Sequence, residues 1–115
     1  MAPPRIRVEL FEDVWEIALD PAGMAAPLSS ELEAKVRATY RDTQFARARR
    51  EVLCTPHEAQ ALVRVFTAAV SAYALNGDSH RLRLAGDGSR HVIDALRKAV
   101  RVGAVPGILL QEVTV

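Results

Sequence analysis

The tightest grouping of chemically capable side chains in this chain is Cys54-Thr55-Pro56-His57-Glu58-Ala59-Gln60. A thiol, an imidazole and a carboxylate fall within a few positions, although the 115 residues hold only one cysteine and three histidines. Two chemistries suit such a set. A cysteine just before a helix start can lose its proton more readily in the field of the helix dipole, with His57 as its base. A structural zinc would need four Cys or His ligands, usually in close pairs. Here His80 and His91 stand far along the chain and there is no second cysteine. The same stretch also reads as a helix N-terminus. Thr55 suits the N-cap, and Pro56 falls at the first helical position, where its missing N–H costs nothing. Glu58 completes a capping box with Thr55, and Cys54 sits where an apolar residue often staples the helix entry. Three signals support the structural reading, so no catalytic residue, metal ligand or cofactor is expected here.

The other polar groupings are weaker. Ser79-His80 and Asp87-Ser89-His91 hold triad-type residues but lack a nucleophile elbow. Gly86-Asp87-Gly88 before a helix resembles an anion-binding loop in form, yet its Asp charge opposes phosphate. A turn followed by a Ser89 cap accounts for it better. The chain is therefore expected not to be an enzyme.

Composition bounds the remaining classes. Half the residues are apolar, a quarter are charged and only 5% are aromatic, the balance of one soluble domain over 1–115 with an Ala/Val/Leu core. One cysteine excludes an intramolecular disulfide and suits a reducing compartment. The opening MAPPRIRVEL lacks the apolar core of a signal peptide. No apolar run approaches the roughly 20 residues that span a bilayer. A cytoplasmic protein without membrane contact is expected. Net charge is +1, so no global field drives the chain onto nucleic acid.

The charges are nevertheless segregated. Glu9, Glu12, Asp13, Glu16 and Asp20 fall together without a basic residue, whereas Lys35, Arg37, Arg41, Arg47, Arg49 and Arg50 face only Asp42. Solvated faces that pair within the monomer are one reading. Docking of the two patches between chains is a second. Contact of Arg37, Arg41, Arg47 and Arg50 with nucleic-acid phosphates is a third. Two helices around a turn at 53–55 would faintly resemble a helix-turn-helix, but the second presents only Gln60, Arg64, Thr67 and Ser71 as a reading face.

The elements that position these residues follow from periodicity. Residues 5–10 alternate strictly and predict a strand through Phe11. Residues 12–19 stay open between a short helix capped by Asp13 and Glu16, a hairpin return arm, and a longer helix over 8–19. Ser30 and Glu33 form a second capping box for a helix over about 31–53, with a break or bend near Asp42-Thr43. The helix from Pro56 to about Leu75 ends at Asn76-Gly77. Its wet face is so narrow that it must be surrounded. Residues 80–85 alternate as a strand, 90–102 form a helix ending at Gly103 with an Asp94–Lys98 pair outside, and 108–115 close as a β-branched strand. The expected fold is α+β and mainly helical, with three to four helices on a small sheet of N-terminal, middle and C-terminal strands. A helical bundle with short terminal β pairing is the alternative.

The function expected from these features is a non-catalytic protein-interaction or regulatory adaptor module that self-associates. Its partner is another protein or a second copy, contacted through Arg37, Arg41, Arg47, Arg50, Glu9, Glu12, Asp13 and Glu16. The alternative is a nucleic-acid-binding regulator using the basic helix 31–53.

Overall fold

Strict alternation over Arg5-Ile6-Arg7-Val8-Glu9-Leu10-Phe11 resolves into strand β1, Ile6–Phe11, with Ile6, Val8 and Leu10 buried and Arg7, Glu9 and Phe11 outside. The computed structural model describes residues 5–19, 28–39 and 49–114. β1 passes directly into helix α1, Glu12–Leu19, which buries Val14, Trp15, Ile17 and Ala18. Of the three options for this segment the short helix is the one formed. The helix starts at Glu12, so Asp13 lies inside it and is not its cap, and Asp13 Oδ1 accepts from the adjacent Val14 amide at 3.0 Å.

Helix α2, Ser30–Ala38, starts one residue earlier than its sequence signal. Ser29 is the cap, its hydroxyl accepting from the Leu32 amide at 3.2 Å. A single helix over 31–53 is corrected here. Arg49–Cys54 is a second strand, β2, antiparallel to β1 with Ile6 opposite Cys54 and Phe11 opposite Arg49. Arg50, Val52 and Cys54 point inward and Arg49, Glu51 and Leu53 outward. The period of two was present in this stretch but is half hidden by an arginine in the buried row. The turn at 53–55 therefore joins a strand to a helix, and the helix-turn-helix likeness lapses.

Helix α3, Pro56–Asn76, has the predicted start and stop. Thr55 Oγ1 accepts from the Glu58 amide at 3.1 Å, and the Thr55 amide donates to Glu58 Oε1 at 2.8 Å. Gly77 ends the helix in the left-handed region at φ 70°, which glycine enters without a Cβ penalty. Arg64, Thr67 and Ser71 are exposed as the predicted stripe, whereas Gln60 is buried and donates from Nε2 to the Leu109 carbonyl at 3.1 Å.

Beyond Gly77 the expected strand–turn–helix is one continuous helix, α4, Ser79–Arg101. Asp78 caps it, Oδ1 accepting from the Arg81 amide at 3.1 Å. The expected strand 80–85, the turn 86–88 and the Ser89 cap are all corrected by this. Leu82, Ala85, Gly88, Val92 and Leu96 recur at helical spacing and face the core, so tertiary packing outweighs the two glycines. The outer Asp94 pairs with Arg97 at 3.7 Å. After Gly103 (φ 78°), residues Gly107–Thr114 form helix α5 rather than a strand. Leu109 and Leu110 pack against the core, and the Gln60 bond fixes the first turn. The sheet therefore has two strands among the described residues, not three, and of the five helices described α5 packs on α3 and α4.

One core joins these elements. α3 and α4 form a helical hairpin across the inner face of the sheet, with Trp15, Leu32, Leu62, Phe66, Val92 and Leu96 fully buried between layers. The hairpin closes tightly at Gly88, where a Cβ would lie 2.6 Å from the Phe66 ring. Gly88→Ala should therefore lower stability by about 1 kcal/mol or more, because overpacking exceeds the gain in helix propensity. Gly86→Ala, with nothing within 4 Å of its Cβ, should raise stability by about 0.5–1 kcal/mol. Urea denaturation of both variants checks the pair.

Candidate functional site

The Cys54–His57 stretch is a structural joint. Cys54 is fully buried at the end of β2, and burial, with a smaller push from the Glu58 charge that Lys35 partly offsets, raises its thiol to about 12. A protonated thiol is a poor nucleophile. His57 lies exposed on the outer side of the first turn. Among the described residues no group of three or more His, Cys, Asp or Glu is placed to hold a metal ion. Glu58 is the engaged member of the stretch. Its Oε1 accepts from Lys35 Nζ at 2.6 Å, and Lys35 also donates to the Leu53 carbonyl at 3.2 Å. Burial opposes ionisation of Glu58, but the hydrogen bonds from Lys35 and Thr55 outweigh it and hold the carboxyl below its ordinary 4.5.

Among the described residues the segregated charges meet inside the monomer at Arg50 and Glu12. Arg50 lies in the buried row of β2, its side chain 3% exposed, and donates to Glu12 Oε2 at 3.1 Å and to the Thr39 carbonyl. The Arg50 carbonyl accepts from the Trp15 indole N–H at 3.0 Å. Arg37 is exposed and pairs with Glu33 one turn away at 2.9 Å. Arg41, Arg47 and Asp20 lie outside the described residues. Arg37 and Arg50 therefore share no helix face, and Arg50 is turned away from any surface partner.

The acidic residues sort differently. Glu9 and Asp13 line a groove of about 370 Å³ between β1 and the middle of α4, with Leu10, Phe11, Val14 and Leu84 as its apolar part. Arg49, Asp87 and His91 complete it. The Arg49 guanidinium lies over the Phe11 ring, 5.0 Å from its centroid, a cation–π distance. Asp87 is paired with Arg90 on its own helix, and His91 Nδ1 lies 2.7 Å from the Asp87 carbonyl. Glu16 and Asp13 border a second hollow on the other side of α1, where Arg37, Tyr73 and His80 also lie. The groove contains both outer-face residues of β1 (Glu9, Phe11) and an inner-face one (Leu10), so it runs along the edge of that strand.

Among the described residues β1 has one strand neighbour, β2. Its described backbone hydrogen bonds go to β2, and in an antiparallel ladder every second residue directs its N–H and C=O away from the paired strand. On β2 the Arg50 carbonyl accepts from Trp15 and the Leu53 carbonyl from Lys35. Among the described residues the other edge of β1 carries no paired strand. The α4 wall of the groove was missed from sequence because residues 80–88 read as strand and turn. The stripe Leu82, Ala85, Val92, Leu96 was the signal that would have found it.

No family of related sequences matches the chain, and neither a curated protein nor a solved structure matches it. Among the described residues no helix is long and apolar enough to cross a membrane.

Two consequences are measurable. The Glu58 carboxyl is lowered in the fold, so its contribution is full above the unfolded pKa and is lost as pH falls through the lower folded value. Glu58→Gln should reduce stability at pH 7 and flatten the loss of stability below about pH 5, as read by thermal melts across pH. Removing Glu12 takes the carboxylate away from a buried guanidinium. Glu12→Ala should cost about 3 kcal/mol in urea denaturation, whereas Glu51→Ala, which breaks only the surface pair with Arg7, should stay within about 0.5 kcal/mol.

Proposed function

We propose that the chain is a non-catalytic protein-interaction module, a regulatory or adaptor part that takes an extended segment of a partner along the edge of β1. The observation that carries this reading is the open β1 edge lying beside the groove walled by Leu84, Asp87 and His91. Strand addition gives affinity through backbone hydrogen bonds and selects partners through side-chain pockets. The pocket chemistry here is mixed. Leu10, Phe11, Val14 and Leu84 favour an apolar side chain, and Glu9, Asp13 and Asp87 favour a cationic neighbour in the same segment. The raised pKa of Cys54 and the structural use of Glu58 leave the one candidate nucleophile occupied with packing. A nucleic-acid reading loses its basic helix, since residues 49–54 are a strand and Arg50 is buried against Glu12.

The test uses the chain as bait. The immobilised protein should retain protein, whether other proteins of a cell extract or added chain of its own kind. Retention should fall at least tenfold for Phe11→Asp, about 1.4 kcal/mol, with helix content by circular dichroism unchanged. Equal retention by both forms, or no retention by the unaltered chain, removes the reading.

A further inference from the structure

The β1 edge has a specific occupant written in its own side chains. This inference rests on the interaction-module reading and names the partner. We propose that the edge of β1 pairs with β1 of a second copy, antiparallel about a two-fold axis through Val8, joining two hairpins into one four-stranded sheet.

The outer row of the strand is Arg7, Glu9 and Phe11, with Arg5 just before it, all exposed, and the inner row is Ile6, Val8 and Leu10, all buried. Directly opposite residues of an antiparallel pair point to the same face, so inner residues must meet inner ones. Symmetric registers are therefore separated by steps, and each centres on a different residue. Centring on Arg7 sets arginine against arginine. Centring on Glu9 sets carboxylate against carboxylate. Centring on Val8 sets Arg7 opposite Glu9 of the second copy, twice by symmetry. It also sets Phe11 opposite Arg5, Ile6 opposite Leu10, and Val8 opposite itself. This register alone makes every outer pair attractive and every inner pair apolar, and like charges directly opposite are destabilising.

Two features of the single chain fit this occupant. Within its own sheet Glu9 stands directly opposite Glu51, and Arg7 turns diagonally to Glu51 at 3.0 Å. A second Arg7, arriving on the open side of Glu9, would place a cation beside the like-charged pair in both copies. The groove at the Phe11 end supplies the other fit. Arg5 of the second copy, opposite Phe11, would approach it near Asp13, beside the ring over which Arg49 already lies. A two-stranded sheet is marginal by itself, and a four-stranded one is of ordinary size. The symmetry is isologous, so the pairing closes at a dimer.

A short edge pairing is weaker than a standard interface, so the measurement is mass by sedimentation equilibrium from about 1 µM to 1 mM. The chain should approach twice its 12.6 kDa mass at the upper end. Glu9→Arg should raise the dimer dissociation constant at least tenfold, and Arg7→Glu should do the same. An equimolar mixture of these two variants should restore dimerisation, because each then meets its opposite charge across the axis. The double variant carrying both changes should also dimerise. Glu9→Arg relieves the contact with Glu51, so its folding does not depend on the result for Arg7→Glu. A chain that stays monomeric over the whole range overturns the pairing, and the module reading then rests on whether the bait still retains other proteins. A dimer that Glu9→Arg leaves unchanged, or a mixture with no recovery, overturns it equally.

Discussion

A buried arginine sets the terms for the sheet end of this molecule. Arg50 occupies the inner row of β2, where the alternation of the strand demands an inward side chain. Taking a guanidinium out of water costs several kcal/mol unless its donors are matched. Two of its partners are Glu12 at the first residue of α1 and the Thr39 carbonyl just past α2, and the backbone carbonyl of the same residue separately accepts from the Trp15 indole. Satisfying one residue therefore fixes how α1 leaves β1, where α2 ends, and how the Trp15 ring is seated in the core. The pair adds little net energy compared with apolar residues of similar shape. Its effect is to make other arrangements of these three elements expensive.

The joint between β2 and α3 works through a second matched charge. Lys35 crosses from α2 to the Glu58 carboxylate and the Leu53 carbonyl, while Glu58 also closes the Thr55 capping box. The residues that suggested chemistry in the sequence are thus divided by burial. The thiol is packed into the core and the imidazole is left in water, with the carboxylate between them already engaged. A constellation in sequence became a helix start because the strand alternation before it sends Cys54 inward and the helix after it sends His57 outward.

Much of the architecture was legible from local rules. The alternation of 5–11, the Thr55-Pro56-Glu58 start and the Asn76-Gly77 stop were each set by backbone chemistry that acts over a few residues, and each formed where expected. The failures have physical causes of two kinds. In residues 80–88 a short alternation and two glycines argued for strand and turn, but the helical stripe through Leu82, Ala85, Val92 and Leu96 buries more apolar surface against α3, and Gly88 is required there by the Phe66 ring. In residues 108–114 strand propensity gave way to packing of Leu109 and Leu110, supported by a hydrogen bond from Gln60, 49 positions away. The acidic residues of the groove, Glu9 and Asp13, could be named from charge clustering. Their wall on α4 could not, because it required the helix that local propensity concealed. Arg50 was named for its charge, but its burial depends on a strand whose alternation an inward arginine disguises.

The open edge of β1 is best understood through what its side chains prevent. An exposed edge with free backbone groups will pair with many extended segments unless charge restricts the choice. The outer row of β1, with Arg5 just before it, places two arginines, a glutamate and a phenylalanine in fixed order, so a slip of two residues in a symmetric partner brings like charges face to face. Backbone hydrogen bonding supplies an attraction that is nearly blind to sequence, while the order Arg5, Arg7, Glu9, Phe11 decides which register survives. The inner row cannot make that choice, because Ile6, Val8 and Leu10 are nearly interchangeable in size and polarity. Selectivity at this edge therefore resides in the solvent-facing residues, and affinity in the backbone beneath them.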